Sequence, residues 1–353
     1  MIPARFQHTL TRLVRWEYWP AWAIYLPIIP HYALLALRYR GLTLPTAVNP
    51  AFPLSGLVGE SKSQIIDLLP PQWVIPTASL PSTATVRDLE SIMRQRNWSF
   101  PLIFKPDVGE RGSGVKFISS PEDAHTYLEC AARDDSFPVL AQTYHPGPFE
   151  AGIFYIRDPH QSRGSIFSIT EKVFATVTGD GDSSLRDLIL QHPRHALQAS
   201  VFLNRLGAAA ENIPLACEVV HLNIAGNHCQ GAMFLDGKRL WTQALEDCID
   251  QISRSVDGFY FGRFDVRYTD PAAFARGESF AIVELNGLLS ESTNIYDPSY
   301  SFLQGQRILR AQWSRAFAIA ASNRANGTRV ASLKEIFSAI GTHRKRRTQA
   351  LSD

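Results

Sequence analysis

Two periodicities alternate along the chain from residue 61 onward. Residues 86–97 (VRDLESIMRQRN) place Val86, Leu89, Ile92 and Met93 on one face of a 3.6-residue period, which predicts an amphipathic helix. The same spacing predicts helices over 121–133, 183–205, 242–257 and 302–325, and a short one over 61–69 that Pro70 and Pro71 stop. Short apolar or alternating runs between them predict strands. These are PLIFKP from 101, GVKFISS from 114, PVLAQTY from 138, AGIFYIRD from 151 and SIFSITEKVFATV from 165. CEVVHLNIAG from 217, GAMFLDGKRL from 231, FGRFDVRY from 261 and FAIVELNG from 280 complete the set. Residues 72–85 fit a loop or an edge strand. Strands in hairpin-like runs separated by helices predict an α+β protein of packed lobes, not a doubly wound parallel sheet.

The first sixty residues follow neither rule. Tyr18 to Leu37 contain no Asp, Glu, Lys or Arg, and those 20 residues have the length of a spanning helix. Arg12 and Arg15 precede the segment, and Arg38 and Arg40 follow it. Trp19, Trp22, Tyr25 and Tyr32 supply interface-seeking rings. Pro20, Pro27 and Pro30 would each interrupt a helix. Three readings stay open: an interfacial or re-entrant anchor, a true span, or an apolar flap packed on the body. No small-residue cleavage site follows, so the segment is not a good signal peptide.

Composition narrows the class. A chain of 353 residues, 45% hydrophobic and 19% charged, is neither disordered nor too short for a sizeable core. Its four cysteines form no close CxxC pair, which argues against a disulfide scaffold or zinc ribbon and for a reducing, cytosol-facing compartment. A net charge of +2 gives no reason to expect nucleic-acid binding. The ends are nonetheless basic: residues 1–40 hold five Arg and one Glu, and Arg344, Lys345, Arg346 and Arg347 lie near the C-terminus. A basic tail is either solvated or drawn to an anionic membrane. With the apolar segment, this makes attachment of residues 16–40 to the cytoplasmic face of a membrane one expectation.

Three motifs carry chemistry. KPDVGERGSGV (105–115) ends a strand on Lys105 and continues through Gly109, Gly112, Ser113 and Gly114. Its N–H groups and lysine suit phosphate, although an ordinary hairpin turn has the same composition. Asp265 lies in FGRFDVRY, and VELNG follows with Glu284 and Asn286, which share a strand face. Together they offer hard oxygen ligands for magnesium, or simply polar strand ends. VTGDGDSSLRDLI (177–189) reads as strand, turn and capped helix start, with Ser184 and Asp187 as a weak capping box. His221 and His228 fit either ordinary hydrogen bonding or proton transfer.

In this order the motifs resemble the ATP-grasp superfamily of carboxylate ligases, from about Lys62 to Tyr296. VTGDGDSSLRDLI looks most like the cyanophycin-synthetase-type branch, and the Lys/Gly loop and ELNG look like D-alanine–D-alanine ligases. The resemblance implies two α+β lobes gripping ATP, with an apolar segment over 1–60 in place of the usual preceding lobe. The lobes would cover 61–145 and 146–325, and a C-terminal helix and basic tail 326–353. It implies that Lys105 and Lys62 bind ATP phosphates and that residues 109–114 form a lid. Gln142 to Tyr144 would lie at the adenine hinge, and Glu150 would take the ribose hydroxyls. Asp265, Glu284 and Asn286 would hold one or two magnesium ions, or manganese, and Arg267 would neutralise the transferred phosphate. Ser292, Thr293 and Asn294 would meet a substrate carboxylate or simply cap a loop.

The implied reaction activates a carboxylate as an acyl-phosphate for attack by an amine, on small-molecule or lipid-linked substrates. Two other readings remain: a non-catalytic ATP-binding regulator at a membrane, and a kinase that releases a phosphorylated product.

Overall fold

The computed structural model describes residue 11 and residues 14–109, 114–134, 138–223 and 226–349. Helices Ala21–Tyr25 (α1) and Ile29–Arg38 (α2) are joined by a single 3-10 turn, Leu26–Ile28. With Pro20 capping the start of α1, the apolar run is broken into short elements at Pro27 and Pro30. Each sits in the first turn of its element, where a missing N–H leaves no acceptor unmet. No helix among the described residues is long and apolar enough to cross a membrane.

After helix Lys62–Ile66 (α3) come β1 (Thr77–Leu80), helix α4 (Val86–Arg96), β2 (Leu102–Pro106), β3 (Lys116–Ile118), α5 (Pro121–Asp134) and β4 (Val139–Thr143). The four strands form an antiparallel sheet in the order β1-β4-β2-β3. Residues 72–85 therefore do contain an edge strand. Thr85 and Asp88 close a reciprocal capping box on α4, which buries Leu89 and Met93 against Leu102, Phe104, Ile118 and Val139. Gly114 has φ +72; a Cβ there would lie 2.8 Å from Pro106 Cγ, so both the backbone and the space require glycine.

β5 (Phe149–Ile156), β6 (Ser165–Val173), β9 (Met233–Asp236), β10 (Phe261–Tyr268) and β11 (Phe280–Asn286) make a second antiparallel sheet in the order β11-β10-β5-β6-β9. Strand alternation sorts its side chains. Ala151, Ile153, Tyr155, Phe264, Val266 and Tyr268 face helix α8 (Gln243–Arg254). Phe154, Ile156 and Phe261 face Phe317 and Ala320 of the long helix α10 (Phe302–Ala325). The N-terminal segment lies on α10: Ile24 and Ile28 pack with Ile295 and Leu309, and Leu35 with Phe317. Gln306 Nε2 donates to the Ile24 carbonyl at 2.8 Å, and Trp16 Nε1 to the Tyr300 carbonyl at 2.9 Å. The final described helix, α11, runs Leu333–Gln349; the side chains of Arg344 to Arg347 lie outside the described residues.

Three sequence expectations are corrected. The run SIFSITEKVFATV divides at Phe174 into β6 and β7 (Thr176–Thr178), because Asn223 Oδ1 takes the Ala175 N–H at 2.8 Å. β7 pairs with β8 (Val219–His221), all that becomes strand of CEVVHLNIAG among the described residues. The helix expected over 183–205 is two, α6 (Leu185–Gln191) and α7 (Ala199–Leu206), with a 3-10 turn between. Pro193 forces His192 into an extended conformation, φ −73 and ψ 124, which ends α6. A further short helix, α9 (Pro271–Ala275), follows β10. Ser184 caps α6 by accepting the Asp187 N–H at 3.2 Å.

Candidate active site

A cleft of about 840 Å³ opens between the two sheets. One wall is the four-stranded sheet. Lys105, on β2, is buried, and its ammonium reaches across to donate to Gln142 Oε1 at 3.2 Å and to the Val283 carbonyl of β11 at 3.3 Å. Burial lowers the Lys105 pKa; the nearby Glu284 carboxylate opposes that shift. Lys62, at the start of α3, donates to the Gly109 carbonyl at 2.6 Å. Asp107 fixes this corner by accepting the Ser63 N–H at 2.8 Å. Gly109 and Lys62 line the cleft, while Gly112 and Ser113 lie outside the described residues.

The opposite wall is the five-stranded sheet. Arg263, Asp265 and Arg267 occupy alternate positions on β10 and line the cleft together. Asp265 stands opposite Glu284 on β11, and Arg263 opposite Asn286. A β-bulge after Asp265 leaves Val283 unmatched. Without the bulge, parity with buried Ile282 would turn Glu284 into the core. With it, Glu284 and Asn286 join Asp265 on the cleft, and the spare Val283 carbonyl accepts from Lys105 and, at 3.4 Å, from Gln142 Nε2.

A chain of buried ion pairs runs along this floor. Asp265 is held by Arg263, Nε–Oδ1 3.0 Å and Nη2–Oδ2 3.2 Å, and by Lys172 Nζ at 3.0 Å. Lys172 also binds Glu150 at 2.8 Å, and Glu150 binds Arg267 Nε at 3.2 Å. Burial alone would raise the Asp265 pKa, but Arg263 and Lys172 outweigh it and hold the carboxyl at about 2. Burial likewise works against the Lys172 charge, and Asp265 and Glu150 overcome it to raise its pKa. The backbone of Gly226 presses on this pair; a Cβ there would sit 2.5 Å from Glu150 Oε1.

Of the sequence-predicted residues, Lys62, Lys105, Gly109, Gln142, Tyr144, Glu150, Asp265, Arg267, Glu284 and Asn286 line this cleft, in changed company, and Gly114 does not. Glu150 carries two cations, and Gln142 faces Lys105 and Thr77, with its Nε2 3.0 Å from Thr77 Oγ1. Tyr144 lies under the Arg267 guanidinium, 5.8 Å from its ring centre, and Arg267 also donates to the His145 carbonyl at 3.2 Å. The Glu284 carboxylate makes no hydrogen bond or ion pair among the described residues, so it and the Asn286 amide oxygen fit a hard cation. Asp265 already accepts from Lys172, Arg263 and, at 3.4 Å, the Asn286 amide, so a cation there would share its carboxylate with them. Ser292, Thr293 and Asn294 are tied into the fold: Ser292 Oγ bonds Ser168, Thr293 Oγ1 bonds Thr170 Oγ1 at 2.9 Å, and Asn294 donates to Asp236 at 3.3 Å. The GDG turn does not line the cleft; Asp180 there accepts from the N–H groups of Asp182 and Ser183. His221 is exposed, whereas His228 lines the cleft.

The far end of the cleft was not predicted. Tyr18, Trp19, Ile24 and Tyr25 of the N-terminal segment form its wall. Glu17 accepts both Arg194 Nη groups, at 3.1 and 2.9 Å, and faces His228 Nε2 at 3.4 Å. Burial would raise the Glu17 pKa, but the His228 and Arg194 hydrogen bonds keep it low. Glu291 has the opposite balance. Burial raises its pKa against the hydrogen bonds from Tyr25 and Tyr296. Lys172 and Arg263 were also missed, since register across β5, β6 and β10 decides their partners.

No protein-family model matches the chain, and no curated protein matches it. Among solved structures it is similar to a bifunctional glutathione synthetase from Pasteurella multocida, at 17% identity and a TM-score of 0.37 over 71% of this chain. The chain spans only 35% of that protein. It is similar to D-alanine–D-alanine ligase from Bacillus anthracis at 12% identity and a TM-score of 0.43, over 76% of this chain and 68% of that one. A third similar structure is the ATP-grasp ligase PsnB, at 11% identity and a TM-score of 0.38, over 71% of this chain and 60% of that one.

Proposed function

We propose that the protein is an ATP-grasp ligase that uses ATP to activate a carboxylate as an acyl-phosphate for attack by an amine. The observation that carries this is the meeting of Lys105, from one sheet, with Asp265, Glu284 and Asn286, from the other, across a single cleft. Such a cleft can oppose cations to a polyphosphate from both sides, and positioning with charge neutralisation is most of what phosphoryl transfer needs.

In this reading Lys62 and Lys105 bind phosphates, and the loop from Gly109 to Gly114 closes over them. Gln142 and Tyr144 border the nucleotide. Glu150 reaches the ribose only as Lys172 and Arg267 release it. Glu284 and Asn286, with phosphate oxygens, would hold magnesium or manganese, which would neutralise charge on the transferred group. Arg267 and Lys172 would face the developing acyl-phosphate. The lobes would divide near 61–145 and 146–325, with the segment before them and helix α11 after them closing the cleft ends.

The test is ADP release from Mg-ATP by the full chain, given separately the aqueous and lipid fractions of a cell extract, with and without hydroxylamine to trap an acyl-phosphate. A fraction-dependent ADP signal and a hydroxamate product are expected, both lost in Lys105→Ala with circular dichroism unchanged. Wild-type-like turnover by Lys105→Ala would refute the assignment. Stable phosphorylated product without hydroxamate would replace the ligase by a kinase.

A further inference from the structure

The N-terminal segment has two apolar faces. Ile24, Ile28 and Leu35 form the buried one, and Trp22, Leu26, Ile29, Leu34 and Leu37 stand 58 to 77% exposed on the other. Trp22, Leu26, Ile29, Ala33 and Leu37 follow steps of three and four residues, so they form one stripe along α1 and α2. A surface helix of a globular domain normally turns a polar face outward. This one offers no charged side chain until Arg38.

Charge around the stripe has one sign. Residues 18–59 hold Arg38 and Arg40 and no Asp or Glu; helix α10, residues 302–325, holds Arg307, Arg310, Arg315 and Arg324 and no Asp or Glu. Arg310 and Arg324 stand beside the segment. The Arg310 carbonyl bonds His31 at 3.1 Å, and Arg324 donates to the Tyr39 and Arg40 carbonyls at 2.9 and 3.3 Å. Arg38, Arg40, Arg307, Arg310 and Arg324 are exposed. A continuous apolar stripe rimmed by cations without acids matches a bilayer surface whose headgroups are anionic and whose acyl region begins just below.

We infer that α1 and α2 dock this protein, lying flat, on an anionic lipid surface, with the stripe in the acyl boundary and the arginines among phosphates. The docked face is the back of the wall that Tyr18, Trp19, Ile24 and Tyr25 present to the cleft. Docking would therefore set the cleft mouth next to lipid. The inference does not depend on the ligase reading.

Flotation of the full chain with vesicles tests it. Binding is expected to phosphatidylglycerol–phosphatidylcholine vesicles and to be much weaker to phosphatidylcholine alone. It should weaken as salt rises from about 0.1 to 1 M, which cuts the Debye length from about 10 to 3 Å. Arg307→Gln with Arg310→Gln should lower the partition constant by about fivefold per arginine. The exposed quartet Leu26→Ser, Ile29→Ser, Leu34→Ser and Leu37→Ser should abolish binding with the circular dichroism spectrum kept. Brominated lipids should quench tryptophan emission in wild type and less in Trp22→Phe.

Equal partition into neutral and anionic vesicles, or none into either, overturns the inference. So does a dimer in sedimentation velocity that the same four serines dissolve, because the stripe would then belong to a second copy. ADP release that stays intact in the four-serine variant leaves the ligase reading untouched, so the two stand or fall separately.

Discussion

Replacing Lys172 by methionine isolates the charge chain under the cleft. The lysine is 6% exposed, and its ammonium lies 2.8 Å from Glu150 and 3.0 Å from Asp265. Methionine keeps most of the stem and removes only the charge. Removing one partner of a buried pair costs about 3–5 kcal/mol when the survivor is left alone. Here Asp265 keeps Arg263 and Glu150 keeps Arg267, so the loss at neutral pH should fall near the lower end, about 3 kcal/mol. Acid provides a second readout. With the Asp265 carboxyl held at about 2 against an ordinary 3.8, its folded pKa is depressed. Such a group stabilises the fold above its unfolded pKa and loses that contribution as pH falls through its folded one. The shift is worth about 2 kcal/mol, lost between roughly pH 4 and pH 2. Without Lys172 the Asp265 pKa rises, so the variant should be less stable at pH 7 yet lose less between pH 4 and pH 2. Urea unfolding followed by circular dichroism, without nucleotide, measures both. A variant within about 1 kcal/mol of wild type at pH 7, with the same acid dependence, would refute the account.

Two further outcomes follow from packing and titration. Gly226→Ala should drive a methyl into the Glu150–Lys172 pair, lowering stability by about 1–3 kcal/mol; an unchanged melting temperature would show that the loop yields freely. Burial, helped by the adjacent His192, lowers His195 to about 4. Because the unfolded state protonates first, stability should fall by up to about 3 kcal/mol as pH drops from about 6.5 to 4, and His195→Gln should flatten that slope in a pH series of unfolding curves.

Much of the fold was legible because local signals decide it. Alternation in AGIFYIRD assigns Ile153 and Tyr155 to one face of β5 and Phe154 to the other, and the face of Leu89 and Met93 on α4 follows from spacing alone. The break at Pro193 was missed in the helix expected over 183–205, although a proline there denies α6 its continuation. Convergence on a candidate cleft was partly legible: Lys105, Asp265, Glu284 and Asn286 do line one cleft. Their partners were not, because they depend on register and distance along the chain. Lys172 meets Glu150 through the β5–β6 register, and Glu17 meets Arg194 across 177 residues. Nor could spacing reveal that the N-terminal segment would bury one face on α10 and turn another to the cleft.

The irregularity in β11 also decides how this strand can change length. Excising Val283 would restore two-residue alternation, with Ile282 and Leu285 still inward and Glu284 and Asn286 still outward. What disappears is the shared carbonyl acceptor, so the two sheets lose a stitch while the carboxylate keeps its direction. An extra residue between Glu284 and Asn286 has no such release, and every side chain beyond it would exchange faces. Insertions and deletions in this strand are therefore unequal: the chain can shed a residue at one place, and lengthening it nearby would hand a core leucine to the cleft.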